Sequence, residues 1–104
     1  MTASTLDVTT PSDGTLVIHL RPLVAAEDAA ELRRALIHAI RHVRPPHLVL
    51  DLAGVRELDP INLGTLAAAC HLGDDHHVTV HVDHTSAGIA LLLTAAGVPA
   101  HRIR

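Results

Sequence analysis

The sequence contains no phenylalanine, tyrosine or tryptophan, so its core has to be built from aliphatic side chains. Apolar residues make up 48% of the 104 positions, and most of them are leucine, valine, isoleucine and alanine. These side chains bury less area per residue than aromatic ones do. The length fits one domain, and we expect a single unit over residues 1–104 with a flexible tail at 1–5.

The chain also lacks lysine, so all eight of its strong bases are arginines. The formal net charge is −3, and no basic patch interleaved with aromatic residues exists, which argues against a nucleic-acid partner. No apolar run is long enough to span a bilayer, so we expect no direct membrane insertion. The single cysteine, Cys70, and the absence of an export signal favour a cytoplasmic location.

Two segments, Thr15–Leu20 and His77–Asp83, alternate apolar and polar residues, and helical segments separate the later strands. The predicted strands are Leu6–Thr10, Thr15–Leu20, Leu48–Leu52 and His77–Asp83. The predicted helices are Glu27–Val43, Pro60–Leu72, which Gly73-Asp74-Asp75 closes, and a last helix that Thr85 or Ser86 caps, that runs to Ala96 and that Gly97 ends. The order β-β-α-β-α-β-α predicts an α/β fold with a mixed sheet and helices mainly on one face. The sequence does not decide whether Arg102–Arg104 forms a final edge strand.

The segment from Leu48 to Ala69 is the most informative part of the predicted fold, because it joins the apolar strand to the second helix. Asp59 stands where a helix N-cap belongs, and its carboxylate can accept a hydrogen bond from a free N–H of the first turn. Pro60 fits the first helical position, which needs no N–H donor. We therefore expect a capped helix start at these two residues.

This segment resembles the STAS domain of the anti-sigma factor antagonists. In that family an apolar strand ending in Asp-Leu leads to a small residue, Gly and Val, and a later Asp-Ser-Ser-Gly-Leu-Gly opens an apolar helix. The corresponding residues here are Asp51-Leu52-Ala53-Gly54-Val55 and Asp59-Pro60-Ile61-Asn62-Leu63-Gly64. The closing segment GIALLLTAAGV is similar to the last helix of the family. The resemblance covers the chain from about Leu6 to its end.

The resemblance implies a regulatory protein-binding module of bacterial transcription signalling. In the family, the second serine accepts phosphate from a partner kinase that is also the anti-sigma factor, and phosphorylation breaks the complex. Ile61 occupies that position here and has no hydroxyl, so the usual phosphorylation switch is not expected; Thr65 is a weak substitute. The implied partner is an anti-sigma factor or a related serine-kinase-fold protein. The implied docking residues are Asp59, Pro60, Ile61, Asn62 and Thr65.

Three questions stay open at this stage. Ile61 is either an apolar anchor for the partner or a residue that packs under the preceding loop. The protein is either a monomer or a homodimer. A STAS subunit of a membrane transport complex is an alternative to the antagonist role, because one fold serves several functions.

Histidine is over-represented, with ten residues, and this suggests a different class of function. The polar positions of the strands are expected on one open side of the sheet: His19, His47, Asp51, His77, His81 and Asp83. Imidazole and carboxylate suit zinc, nickel or copper, so a metal- or pH-responsive protein is the second alternative. The spacing is no recognised zinc pattern, and a solvated sheet face is the simpler interpretation. No cofactor or metal is assigned.

An enzyme is not expected from this sequence. Cys70 and His71 are neighbours, but adjacent residues of a helix point about 100° apart, so they are not preassembled as nucleophile and base. Cys70 is interpreted as a small buried apolar residue. No Gly-rich phosphate loop or Ser-His-Asp order is present either.

Overall fold

A computed structural model describes residues 6–11, 13–21 and 23–104, so the predicted tail at 1–5 lies outside the described residues. The strands are β1 (Leu6–Thr9), β2 (Leu16–Leu20), β3 (Leu23–Val24), β4 (His47–Asp51), β5 (Glu57–Leu58) and β6 (Thr79–Asp83). The helices are α1 (Ala29–His38), α2 (Pro60–Asp75) and α3 (Ala87–Ala96). The predicted order of the main elements is confirmed, and two short strands are added to it.

The main sheet has the order β1-β2-β4-β6 and is mixed, as predicted. β1 pairs antiparallel with β2, whereas β2, β4 and β6 run parallel. One face is buried under the helices and carries the aliphatic residues Leu16, Ile18, Leu48, Leu50, Val80 and Val82. Positions of the opposite face, such as Val17, Val49 and His81, stay half-buried. The alternation of each strand thus places the core on a single face.

A second, parallel sheet of two short strands was missed from the sequence. The predicted connector between β2 and the first helix contains β3, and the predicted loop before α2 contains β5; Leu23 pairs with Glu57 and Val24 with Leu58. Two residues are too few to show any periodicity, and their pairing joins distant parts of the chain. This small sheet fixes the chain immediately before α2.

The end of the chain does not form the edge strand that the sequence left open at Arg102–Arg104. Ala100–Arg102 is a 3₁₀ turn, and only Ile103 bridges to Val82 of β6 in parallel orientation. The N–H of Arg104 donates to the carbonyl of Val82 at 2.8 Å. The guanidinium of Arg104 also donates hydrogen bonds to both carboxylate oxygens of Asp83, at 2.8 Å and 3.2 Å. The last residues therefore line the β6 edge without forming a strand.

The first helix begins and ends close to its predicted limits. A 3₁₀ turn at Ala26–Asp28 leads into α1, and a π-helical turn at Ala39–Val43 closes it. Arg44 ends the helix in a left-handed conformation with φ 52°, and its N–H donates to the carbonyl of Ala39 at 2.8 Å.

The second helix continues beyond its predicted end, to Asp75 instead of Leu72. Gly73 was interpreted as part of the stop, but it lies inside the helix because the start of β6 passes very close. A Cβ at this position would lie 2.5 Å from the carbonyl oxygen of Val78 and 2.7 Å from Cγ2 of Val80. The glycine thus allows α2 to pack against the sheet.

Candidate functional site

The start of α2 is capped as the sequence predicted. Oδ1 of Asp59 accepts a hydrogen bond from the N–H of Ile61 at 3.1 Å, and Pro60 occupies the first helical turn. The N–H of Asp59 donates to the carbonyl of Val24 at 2.9 Å, which ties the cap to β3. The small sheet and the capping bond together hold this helix start in one position.

Four of the five predicted docking residues lie at the surface of this helix start. Pro60 is exposed, and Ile61 keeps 55% of its area exposed, so it does not pack under the preceding loop. Asp59 and Thr65 are half-buried. Oγ1 of Thr65 donates to the carbonyl of Ile61 at 3.0 Å, which directs the hydroxyl hydrogen into the helix. We call Asp59, Pro60, Ile61 and Thr65 the α2-start surface.

Asn62 differs from this expectation, because it is fully buried and cannot touch a partner. Its side-chain Nδ2 donates to the carbonyl of Ala25 at 2.8 Å and to that of Val24 at 3.3 Å. Both acceptors are backbone carbonyls, which fixes the orientation of the amide. Oδ1 of Asn62 has no hydrogen-bond partner in the structure. Asn62 therefore holds the β3 segment against α2 from the inside.

The open sheet face does bring several of the predicted polar residues together. The strand register aligns His19 with Asp51 and Asp51 with Asp83, and His47 stacks on His81 with ring centroids 6.4 Å apart. His77 is not part of this face, because β6 begins only at Thr79. In the described part of the chain, no group of three or more His, Cys, Asp or Glu side chains is arranged to hold a metal ion.

Asp51 is the centre of a hydrogen-bonded cluster on that face. Its Oδ2 lies 2.9 Å from Nδ1 of His19, and its Oδ1 lies 3.0 Å from Nδ1 of His84 and 2.9 Å from the N–H of Ala53. Partial burial alone would raise the pKa of Asp51, but the hydrogen bonds from Ala53, His84 and His19 outweigh it and lower that pKa. His84 was missed from the sequence, since it follows the strand in a left-handed conformation with φ 60°.

His81 lies on the same face of the sheet and is partly buried. Its burial, together with the positive charges of Arg104 and Arg102, lowers the pKa of the imidazole. The Nδ1 atom of the ring is buried and has no hydrogen-bond partner in the structure. His81 is thus a ring that favours its neutral form.

Cys70 is buried in α2, as predicted. Its burial raises the pKa of the thiol to about 11, so the group stays protonated and is a poor nucleophile at neutral pH. The neighbouring His71 is exposed. The two side chains therefore do not form a nucleophile–base pair.

A mixed sheet with helices on one face, and a capped helix start exposed beside a small second sheet, defines an α/β domain of the STAS class. The chain belongs to the STAS domain family: the family model described as "Mlab, STAS domain" matches residues 9–100. STAS domains in general are binding and regulatory modules. No curated protein is significantly similar to the chain in sequence.

Solved structures of similar fold include an anti-sigma factor antagonist, RsbS and an anion transporter. SpoIIAA from Bacillus, an anti-sigma factor antagonist solved in its unphosphorylated form, aligns with TM-score 0.81 and 11% identity over 95% of this chain and 85% of that one. A serine-to-glutamate variant of RsbS from Moorella thermoacetica gives TM-score 0.79 and 17% identity over 96% and 84%. The murine Slc26a9 anion transporter gives TM-score 0.64 and 20% identity over 82% of this chain but only 14% of the transporter.

These identities establish a shared fold and nothing about shared partners. The membrane part of the transporter has no counterpart in the described residues, where none of the helices combines the length and the hydropathy needed to cross a bilayer.

Proposed function

We propose that this STAS domain is a regulatory binding module that docks an anti-sigma factor or a related serine-kinase-fold protein through the α2-start surface. The observation that carries the proposal is the 55% exposure of Ile61 on a rigidly capped helix start, in a chain that belongs to the STAS family. Single exposed apolar side chains are common on protein surfaces, so the support comes from the position of Ile61 at the helix start that the family resemblance implicates in docking. The fold likeness to two antagonists, SpoIIAA and RsbS, supports the same class of partner.

The module binds without the phosphorylation switch of its relatives. Ile61 stands where the resemblance places the phosphoacceptor serine, and it has no hydroxyl to modify. Thr65 is a half-buried residue whose hydroxyl donates to the helix backbone, so it is a poor substitute. The proposed consequence is a constitutive binder in the cytoplasm, whose activity depends on its amount and not on kinase action.

Binding to purified candidates tests the docking surface. The kinase-fold anti-sigma factors encoded by the source organism are immobilised one by one, and binding of the purified domain is measured by biolayer interferometry. We expect one of them to bind with a Kd of about 1 μM or tighter, and Ile61→Glu to weaken it by about tenfold or more.

The matched control is Val43→Glu, which changes an apolar residue of similar exposure, 50%, at the end of the first helix. This variant should bind like the parent. Equal effects of the two substitutions, or no binding by any candidate, would overturn the proposal.

Phosphate transfer tests the loss of the switch separately. The domain is incubated with its binding kinase and ATP, and its intact mass is measured. The parent should stay unmodified, whereas Ile61→Ser should gain one phosphate, since a hydroxyl then occupies a helix N-terminus that accommodates the charge. Stoichiometric phosphate on the parent chain would refute the constitutive role.

A second candidate function is a STAS component of a membrane transport assembly. The likeness to one part of the Slc26a9 anion transporter favours it. Fractionation of native cells distinguishes the two roles. Cosedimentation of the domain with membranes, together with one stable transporter subunit, would favour this candidate over the antagonist role.

The cluster around Asp51 favours the pH-responsive version of the histidine-face hypothesis over a metal-dependent one. Its carboxylate lies within 3.0 Å of Nδ1 of both His19 and His84, and the hydrogen bonds it accepts lower the pKa of Asp51. Titration calorimetry with zinc and nickel provides the test, and binding tighter than about 1 mM would instead favour the metal.

A further inference from the structure

An open groove of about 710 Å³ runs between α1 and α2. The two helices lie side by side and point the same way, because each follows one of the parallel strands. The hydrogen bond from Asn62 to Ala25 places their starts next to each other. Ile37 of α1 and Ile61 and Leu72 of α2 are among the residues that line the groove. The lining also includes Thr65, His71 and Asp75 of α2, so the space is an elongated trough with mostly apolar walls, one carboxylate near the end of α2, and an opening to solvent.

The α2 side of the groove is an apolar helix face without a covering element. Its exposed positions Ile61, Gly64 and Ala68 recur at helical spacing, so they form one stripe. An amphipathic surface helix normally directs polar residues to solvent. No segment within 6–11, 13–21 or 23–104 covers this stripe, as the exposure of its residues shows.

Gly64 marks the stripe as a contact surface for a second helix. A Cβ at this position would meet no atom within 4 Å, so packing inside this domain does not require a glycine here. Gly73 of the same helix differs, because its Cβ would collide with the sheet. A mid-helix glycine lowers stability by about 1 kcal/mol relative to alanine. The open space at Gly64 leaves room for the close approach of an external backbone.

The α1 side of the groove is basic. Arg33 of α1 and Arg41 of the π-helical turn that follows it both line the groove, and both are exposed. Neither guanidinium has a hydrogen bond or ion pair with any residue that the structure describes. Their charge stands out in a chain whose formal net charge is −3. Unpaired guanidinium groups beside apolar surface favour carboxylate-bearing partners.

From these observations, we propose that the groove binds one acidic amphipathic α-helix of a protein partner. The apolar face of that helix packs on Gly64 and Ala68, and its carboxylates pair with Arg33 and Arg41. Ile61 to Leu72 spans roughly 16 Å, which accommodates about three turns of a bound helix. An open trough of this length fits a helix better than it fits a small ligand, which prefers an enclosed pocket.

The inference rests on the proposed function in one respect: Ile61 and Thr65 belong to both the groove and the α2-start surface. The inference adds to the proposed function that the partner presents an acidic amphipathic helix, and that the contact continues along α2 beyond the α2-start surface. The two ideas remain separable, because Gly64, Arg33 and Arg41 lie outside the α2-start surface.

Peptide probes test the groove directly. The first probe is a designed amphipathic helix of about 18 residues with an alanine–leucine face, flanking glutamates and a single tryptophan. The second carries lysine at every glutamate. The domain has no tryptophan or tyrosine, so the emission of the peptide reports its environment without background. We expect the glutamate peptide to bind with a blue shift, and the lysine peptide to bind about tenfold more weakly or worse.

Three variants locate the binding. Arg33→Glu with Arg41→Glu should weaken the glutamate peptide by about tenfold and favour the lysine peptide. Arg34→Glu, an exposed residue of α1 outside the groove, is the matched charge control and should change little. Gly64→Met should fill the trough and abolish binding, while thermal unfolding followed by circular dichroism shows an intact or more stable fold.

Each alternative result has a defined meaning. Equal binding of the two peptides, or binding that survives Gly64→Met, overturns the inference. Sedimentation showing a homodimer that Gly64→Met dissociates would assign the groove to a second copy and overturn it as well. A kinase-fold partner lost with Ile61→Glu but kept with Gly64→Met would leave the proposed function standing and remove the groove from it. Binding of the glutamate peptide to the groove, without binding of any kinase-fold partner, would support the groove and overturn the proposed function.

Discussion

Replacing Asn62 by alanine should destabilise the domain by about 2–3 kcal/mol, because two buried hydrogen bonds and part of the core are lost. The Nδ2 atom donates to the carbonyls of Ala25 and Val24. Each carbonyl keeps a second donor, the N–H of Asp28 at 3.0 Å and of Asp59 at 2.9 Å. No acceptor is therefore orphaned, and the cost is that of the two bonds plus the vacated volume.

The magnitude follows from the geometry of each contact. The 2.8 Å bond is short and should contribute about 1 kcal/mol, and the 3.3 Å bond contributes less. The side chain is fully buried, so truncating it adds roughly 1 kcal/mol for the cavity. For a domain of this length, a loss of this size should lower Tm by about 10–20 °C.

Thermal and urea unfolding followed by far-ultraviolet circular dichroism measure this effect, since the chain lacks the fluorophores used otherwise. Asn62→Asp is the sharper companion variant, because it keeps the shape but aims an acceptor at two carbonyls. It should be less stable than Asn62→Ala at pH 7 and recover as the carboxyl takes up a proton. A change of less than about 0.5 kcal/mol in Asn62→Ala, or a stable Asn62→Asp at pH 7, would refute the reasoning.

Four further substitutions have directions fixed by the structure. Gly73→Ala should cost about 2 kcal/mol or more in urea unfolding, because its Cβ would meet the carbonyl of Val78, whereas Gly64→Ala should be neutral or stabilising. Asp51→Asn should flatten the pH dependence of stability below about pH 4, since a lowered carboxyl pKa gives stability that is lost as pH falls through it. His81→Gln should flatten it just below about pH 6.5, because a lowered imidazole pKa makes the folded state resist protonation. An unchanged pH profile in either variant would contradict the corresponding assignment.

The predictable parts of the fold are those whose cause lies within a few residues. The Asp59–Pro60 cap needs only the geometry of one helical turn, and the sequence predicted it correctly. The sequence left the cap of the last helix between Thr85 and Ser86, and it is Ser86 whose Oγ accepts the N–H of Ile89 at 3.2 Å; Gly97 ends α3 as predicted, with φ 109°. Capping rules therefore predicted the limits of α3 and the start of α2 without any tertiary information.

The parts that were missed depend on pairs that are distant in sequence. The β3–β5 pairing and the role of Asn62 both join the start of α2 to residues more than thirty positions earlier. One local signal pointed to the burial of Asn62: it stands at helical spacing with Leu66, Ala69 and Gly73, which are all buried. A polar residue on such a stripe indicates a buried hydrogen bond and not a docking contact.

Ile61 and Asn62 are adjacent, yet the structure assigns one to solvent and the other to the core, so stability and binding should separate at this site. Ile61→Glu should change the free energy of unfolding by no more than about 0.5 kcal/mol, because more than half of the surface of Ile61 is already exposed to solvent. Asn62→Ala should instead reduce stability while leaving the exposed side chains in place. Measuring unfolding and partner binding on both variants, well below their melting temperatures, tests this separation. If Ile61→Glu destabilised the fold as much as Asn62→Ala, Ile61 would be a packing residue, and its exposure would no longer support a docking surface.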